Sequence, residues 1–382
     1  MPSSTDVTVL IAARNAAATI GRALRSVEEQ PYAKILLLNH ASTDGTSEAA
    51  RRCGVRKLEI LSLPADWTLG RVRQAGLESL DTPLGIWLDA DDAFEPKRIP
   101  LLIEALESDN SVLAFDEAHL FDGPSGRPLR SLPFPAELRS SSDLVRCFGR
   151  NLLPAVGVPA FRTDFAQRLG YDGRLQGAED YDFLLRALMQ ESRISLVRAP
   201  LYRVYAYLSS LSRHLHHQRR MCALALSKHH PKKVQARLER SGLEPAERLW
   251  VLVEFFTFRC EWRNALETLD RLETIAPRWE CEPYETWRRT FQRGTLLLFQ
   301  GDPSGARTSL GLACTLRLTA ETLNNFGVAL RDLGQEEQAL AHFQRALELL
   351  PEYRDARLNL EAPGTRHITP LPLRTSPSRS TY

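Results

Sequence analysis

The sequence predicts a mostly parallel α/β domain followed by an all-α repeat array, and three observations lead there. Short apolar runs alternate with helical patterns through the first 90 residues, from Val7–Ala12 through Lys34–Leu38 to Leu84–Leu88, which is the rhythm of βαβ units. Strands of this kind give way, from Glu244-Pro245 onward, to helical patterns alone. Those helices repeat with a period of about 34 residues. At 382 residues the chain is long enough for two or three domains.

Bulk composition narrows the function classes. A hydrophobic content of 43% and a charged content of 25% fit a globular protein with a real core. The net charge of +2 gives no reason to expect nucleic acid as a partner. Six cysteines without a CxxC pair argue against structural zinc and a disulfide framework. Met1–Asp6 has neither the basic nor the apolar part of a signal peptide, and no apolar run is long enough to span a bilayer. A cytoplasmic protein is expected, with peripheral contact at the inner face of the membrane allowed.

In chain order, Val7–Ala12 ends at Arg14-Asn15, after which Ile20, Leu24 and Val27 recur at helical spacing with Thr19 as N-cap. Lys34–Leu38 forms a second strand running into the polar segment Asn39–Thr46, which opens a helix over about residues 46 to 53. Leu84–Leu88 is a buried strand ending in Asp89-Ala90-Asp91-Asp92, and a helix starts near Lys97. In open sheets of this class ligands bind beyond the carboxyl ends of the strands, so Asn15, Asn39–Asp44 and Asp89–Asp92 should converge. Three acids in four residues repel one another unless a cation sits among them. Magnesium or manganese would take carboxylate oxygens and keep sites open for phosphates; a solvated acidic turn is the plain alternative. A second acidic cluster, Glu179-Asp180-Tyr181-Asp182, opens a helix whose apolar face is Phe183, Leu184 and Leu188. Acids in a first helical turn also complement the helix dipole. Val112–Phe115 reads as a strand and Asp122–Gly126 as a turn, while Ser131–Glu137 shows no period. His214, His216 and His217 among Arg213, Arg219 and Arg220 can hold a metal or an anion, or form a solvated basic linker.

The stretches VTVLIAARNAAATIGRALRSV, ILLLNHASTDGT, RVRQAGLE and GIWLDADD, followed by GYDGRLQGAEDYDFLLRAL, resemble the family 2 glycosyltransferases over about residues 5 to 213. These are inverting, nucleotide-sugar-dependent enzymes with the GT-A fold. The resemblance implies a donor site at Ala13, Asn15, Asn39, Asp44, Arg73 and Asp89, a Mg2+ or Mn2+ site at Asp91 and Asp89, and Asp180 as the general base. It also implies a nucleotide-sugar donor and a glycan, lipid or protein acceptor. The cation and Arg73 would neutralise a diphosphate that grows more negative as the sugar leaves. Several positions depart from the family pattern. Asn39 and His40 stand where relatives often carry two acids, Ala16 and Ala17 replace acids after the first-strand asparagine, and Tyr205 stands near a frequent histidine. An inactive glycosyltransferase-like scaffold is therefore the second reading. A nucleotidyltransferase would bring a glycine-rich basic loop after the first strand, and Ala12–Asn15 is not one.

The period in the second half is that of tetratricopeptide repeats. Its clearest copy holds Leu323, Phe326, Gly327, Ala329, Leu330, Gly334, Ala339, Phe343, Ala346 and Pro351; a middle copy holds Gly294, Leu297, Gly301, Ala306, Leu310 and Ala313; a first holds Leu249, Val253, Phe256, Ala265, Leu269 and Pro277. A protein partner through the repeats is expected, and Arg288, Arg289 and Arg293 point to an acidic or peptide ligand. The expected divisions are a GT-A domain over 1–213, a basic helical linker over 214–245, repeats over 246–360 and a disordered Pro/Ser/Thr/Arg-rich tail over 361–382.

Overall fold

The computed structural model describes residues 6–28, 30–207, 215–275, 283–362 and 364–371, with the side chains of 215–218 excepted. It divides into two compact units. The first comprises Met1–Cys147 and Asn151–Arg237, the second Phe148–Arg150 and Leu238–Tyr382.

In the first unit, strands β1 (Val7–Ala13), β2 (Lys34–His40), β3 (Leu58–Leu63) and β4 (Leu84–Asp89) run parallel, connected through helices α1 (Ile20–Glu28), α2 (Thr46–Arg52) and α3 (Leu69–Glu78). Strands β1, β2 and β4 are buried on both faces, as their unbroken apolar runs require. Strand β3 lies at the sheet edge and is largely half-exposed. Its sequence, Leu-Glu-Ile-Leu-Ser-Leu, carries a weaker apolar signal for that reason. The chain continues through β5 (Ala93–Phe94), α4 (Arg98–Ser108), β6 (Leu113–Asp122), β7 (Pro128–Leu132), a 3-10 segment (Ser141–Phe148), β8 (Ala160–Arg162), α5 (Thr163–Leu169), α6 (Glu179–Met189), β9 (Ile194–Ala206), α7 (Leu215–Ser227) and α8 (Pro231–Glu239). The described sheet has nine strands in the order β3-β2-β1-β4-β8-β6-β9-β5, with β7 added to β6. Strand β8 is antiparallel to both neighbours, β4 and β6, while β9 runs parallel to β6. The fold is a GT-A-like, mostly parallel sheet.

Ala93-Phe94, which breaks the helical and strand patterns in sequence, makes a two-residue strand against Tyr202 and Arg203 of β9. Behind it, Arg98 is fully buried and grips Asp116 with two bonds of 2.9 and 2.8 Å, while its guanidinium lies 4.4 Å from the Phe94 ring and 4.6 Å from the Tyr202 ring. Burial raises the Asp116 pKa and the Arg98 charge only partly offsets it. This ion pair fixes the strands that follow the Asp89–Asp92 turn.

Helix α3 is docked by its N-terminal turn. Thr68 caps it by accepting from the Arg71 N–H and donates to Gly173 O at 2.7 Å, and the Gly70 N–H donates to Leu175 O at 3.0 Å. A Cβ on Gly70 would fall 2.2 Å from Asp172 O, a backbone atom that no rotamer change can move. Gly70→Ala is therefore expected to cost about 1–3 kcal/mol of stability, read as a lower urea midpoint; an unchanged midpoint would contradict this docking.

The second unit stacks helix pairs: α9 (Pro245–Phe258) with α10 (Trp262–Ile275), α11 (Pro283–Gln300) with α12 (Pro303–Leu316), α13 (Ala320–Asp332) with α14 (Glu336–Leu349), and a final α15 (Arg354–Glu361). Glycine permits the close approach within pairs. A Cβ on Gly294 would come 2.6 Å from Leu310, and one on Gly327 would come 2.6 Å from Phe343. Ala306, Leu310, Ala313, Ala339, Phe343 and Ala346 are fully buried between the layers. Pro277 lies outside the described residues.

Two expectations for this half are corrected. Arg288 is paired with Glu254 at 3.2 Å and Glu285 at 3.6 Å, Arg293 with Asp270 at 2.6 Å and Glu273 at 2.8 Å, and Arg289 is buried, bonding to Glu285 O. These arginines satisfy carboxylates and carbonyls of their own repeats and present no basic surface for an acidic partner. The tail is not without structure throughout. Ile368, Thr369 and Leu371 are buried against the repeats, held by side chains that the tail's own composition does not reveal; residues 372–382 lie outside the described set.

Candidate active site

The register of three parallel strands assembles the site. Ala12 pairs with Asp89 and Ala13 with Asn39, so the carboxyl ends of β1, β2 and β4 meet. Just beyond them, the loops after β1 and β2 are tied together. Asn15 adopts a left-handed backbone (φ 54°), a conformation asparagine tolerates. Its N–H donates to Ser42 Oγ at 3.0 Å, and its Oδ1 accepts from the Thr43 N–H at 2.9 Å. Asp44 accepts from the Ala17 N–H at 2.9 Å and from the Thr46 N–H and hydroxyl, and the Thr46 bond holds its pKa below the usual value. Asn39 donates to Ser47 Oγ at 2.7 Å and accepts from the Ser42 N–H at 3.1 Å. Of the expected donor residues, Asn15, Asn39 and Asp44 thus form a loop clamp beside Ala13. His40 is buried, with Nε2 left without a partner among the described residues, and burial together with the Arg14 charge lowers its pKa. It adds no positive charge near neutral pH.

Arg73 is the hub. Only 4% exposed, it projects from α3 and donates from Nε to Glu179 at 3.1 Å, from one terminal nitrogen to Gly157 O at 2.7 Å and from the other to Asp89 at 3.3 Å. Its guanidinium lies 4.6 Å from the Trp87 ring centre. Burial opposes its charge, but Tyr171, Asp89, Glu179 and Asp180 outweigh that and raise its pKa. One cation therefore joins the acidic turn after β4 to the acidic start of α6.

The two acids opening α6 divide. Glu179 is buried and turned to Arg73, and burial with the Asp180 charge pushes its pKa up to about 7. Asp180 is less enclosed; Oδ1 accepts from the Tyr181 N–H at 2.7 Å, and a Cβ on Gly157 would lie 2.9 Å from its Oδ2. Burial raises the Asp180 pKa against the lowering effect of Arg73, and the Asp89 charge adds to the rise. Nearby, burial and the Asp180 charge push the Cys222 thiol up to about 12, so it stays protonated. The chain enters α6 through Gly177 and Ala178, both at positive φ.

The Asp89–Asp92 turn also divides. Asp92 is buried and accepts from the Tyr205 N–H at 2.8 Å, which anchors the turn to β9; burial, then Asp91 and Asp89, raise its pKa well above the ordinary value. Asp89 and Asp91 are less enclosed. Burial and the neighbouring Asp89 push Asp91 up to about 6. Such charge crowding favours a bound cation. Among the described residues, no group of three or more His, Cys, Asp or Glu side chains forms a metal-ligand set. Asp89 and Asp91 alone would hold a divalent cation such as magnesium or manganese with other coordination positions left for phosphate oxygens and water. His214 and the side chains of His216 and His217 lie outside the described residues.

Two features escaped sequence reasoning. Arg22, in the first turn of α1, donates to Asp91 O and to Tyr207 Oη, and its guanidinium sits 3.5 Å from the Tyr205 ring centre. Nothing in the spacing of α1 marks it, because its partners come from β9 and the turn after β4. Tyr202 is the other, its hydroxyl accepting from the Asp89 N–H at 3.1 Å. The signal for both tyrosines lay in the Tyr-Arg-Val-Tyr run, which sequence reasoning assessed only for a missing histidine.

Comparison with known proteins follows this geometry. Residues 8–159 match Glycosyl transferase family 2, and residues 320–353 match Tetratricopeptide repeat. Succinoglycan biosynthesis protein ExoU of Rhizobium meliloti (strain 1021) is 30% identical over 226 residues, covering 54% of this chain and 64% of that protein. Succinoglycan biosynthesis protein ExoO of the same organism is 28% identical over 225 residues, covering 54% of this chain and 63% of that protein. The chain thus spans just under two thirds of the length of these relatives. A crystal structure of S. aureus TarS 1-349 in complex with UDP-GlcNAc is 15% identical and covers 93% of this chain and 91% of that one, with a TM-score of 0.52; the likeness is one of fold.

Proposed function

We propose, from the match of residues 8–159 to Glycosyl transferase family 2 and of residues 320–353 to Tetratricopeptide repeat, that this chain is a metal-dependent, inverting glycosyltransferase that moves a sugar from a nucleotide-sugar donor to an acceptor hydroxyl. The observation that carries this reading is that one buried guanidinium, that of Arg73, is bonded at once to Asp89 and Glu179, with Asp180 adjacent. A site built this way holds a polyanion at one end and an ionisable base at the other.

The donor diphosphate would lie across the strand ends beside Ala13 and the clamp made by Asn15, Asn39 and Asp44. Asp91 and Asp89 would hold Mg2+ or Mn2+, which when bound neutralises the leaving diphosphate. Arg73 would add positive charge on the same side and keep Asp89 in place. Asp180 would accept the proton of the acceptor hydroxyl as that oxygen attacks the anomeric carbon from the face opposite the leaving group. One displacement inverts the centre. Among polysaccharide, lipid and protein glycan acceptors, the similarity to two succinoglycan biosynthesis proteins favours a growing polysaccharide. Among the described residues no helix is long and apolar enough to cross a membrane.

A thermal-shift panel of nucleoside diphosphates and their sugars, with and without manganese, tests the donor end directly. A donor at a hundred times its Kd is expected to stabilise the domain by about 2.7 kcal/mol, and only with manganese present. No metal-dependent shift with any donor would favour the scaffold reading.

A further inference from the structure

The first helices of the repeats carry a polar ladder that sugar transfer does not use. Thr257 of α9, Gln292 of α11, Asn325 of α13 and Asn359 of α15 recur about one repeat length (~34 residues) apart. Stacking therefore brings them to equivalent places. Gln292, Asn324, Asn325 and Asn359 are fully buried, and buried amides require partners.

Most of those partners are main-chain atoms of one extended segment. Asn325 donates to Thr369 O and accepts from the Thr369 N–H, both at 2.9 Å, so one amide satisfies both backbone groups of one residue. Asn359 does the same for His367, donating to its O at 2.9 Å and accepting from its N–H at 2.8 Å, with Asn324 donating to the same carbonyl at 2.9 Å. Alternate residues present backbone groups to one side in an extended chain, as His367 and Thr369 do here. Side chains add selectivity. Arg366 donates to Leu298 O at 2.9 Å and pairs with Asp332 at 2.7 Å, the Thr369 hydroxyl donates to Asp355 at 2.8 Å beside the Tyr353 hydroxyl, and Ile368 and Leu371 are buried.

A third rung is half made. Gln292 donates to Pro370 O at 3.1 Å, yet among the described residues its buried Oε1 has no hydrogen-bond donor. The other two rungs accept an N–H from the residue whose carbonyl they bind, and proline has none.

We propose that this face of the repeats is a binding site for an extended peptide, that the chain's own Arg366–Leu371 is its resident ligand with one rung unmade, and that a partner segment with the same side chains but no proline at the fifth position displaces it. The occupant is thus a peptide of the pattern Arg-x-aliphatic-Thr-x-Leu, read mainly through its backbone. An intramolecular segment holds its site at high effective concentration, so a competitor needs the additional rung to win.

The experiment uses the full chain, a labelled peptide of residues 364–371, and the same peptide carrying Pro370→Ala or Thr369→Pro. The Pro370→Ala peptide is expected to bind about fivefold tighter than the unchanged one, the effect of one more hydrogen bond. The Thr369→Pro peptide, lacking the N–H that Asn325 accepts, should bind at least about tenfold more weakly. The Thr369→Pro change in the chain itself, which loosens the resident tail without touching the ladder, should tighten peptide binding. Equal affinity of the unchanged and Pro370→Ala peptides would refute the third rung. Failure of the Thr369→Pro chain to gain affinity, with its circular dichroism unchanged, would overturn the tail as resident ligand. Self-association of the unmodified chain that Thr369→Pro abolishes would overturn the partner reading and assign the segment to a second copy. None of these readouts depends on sugar transfer.

Discussion

Asp180→Asn is expected to lower kcat by about 10²–10⁴-fold, the usual contribution of a general base, while donor and manganese still raise the melting temperature. The substitution keeps size and hydrogen bonding but removes the basic lone pair. The same assignment predicts the pH profile. A base works only when deprotonated, and burial raises the Asp180 pKa in the folded protein. Activity should therefore fall as pH drops through a value above the ordinary aspartate pKa of 3.8, and the acid limb of kcat/KM reports it. Turnover of Asp180→Asn equal to that of the parent chain would remove Asp180 from the role. Glu179 would then be the alternative, but its buried carboxylate faces Arg73.

Arg73→Met should cause the largest loss of stability. It would strand Glu179, 2% exposed, without its cation, and breaking a buried pair by removing one partner costs about 3–5 kcal/mol. Methionine fills the space but replaces none of the three bonds to Glu179, Gly157 and Asp89. Restoring neutrality with Glu179→Gln in the same chain should recover part of the loss, because the two residues are directly coupled. Urea unfolding of the single and double variants measures both effects. A midpoint unmoved by Arg73→Met would show that the guanidinium is not the hub of the domain.

The alternation of apolar runs and helices carried the sheet, because buried parallel strands must be apolar on both faces. It failed at β3, β5 and β8 for a common reason: an edge strand and strands of two or three residues have little apolar run to show. The motif residues could be named in advance, but their partners could not. The resemblance singles out Asp180 as the base, and what the structure adds is the side from which Arg73 arrives, at Glu179. Arg22 was illegible because its partners, Asp91, Tyr205 and Tyr207, are brought to it by distant parts of the chain. The tail misled for a converse reason. Its composition is that of an unstructured segment, and the buried amides that order residues 366–371 lie on α11, α13 and α15.

Repeat arrays melt like zippers, because each unit touches only its neighbours and the ends can fray independently. The segment from Arg366 to Pro370 changes that arithmetic. It bonds to Leu298 and Gln292 in one helix pair, to Asn325 in the next and to Asn359 in the final helix. A single splint thus spans units that otherwise communicate only in series. Opening α15 frees one end of the splint, so fraying at the end of the array is felt at α11 in its middle.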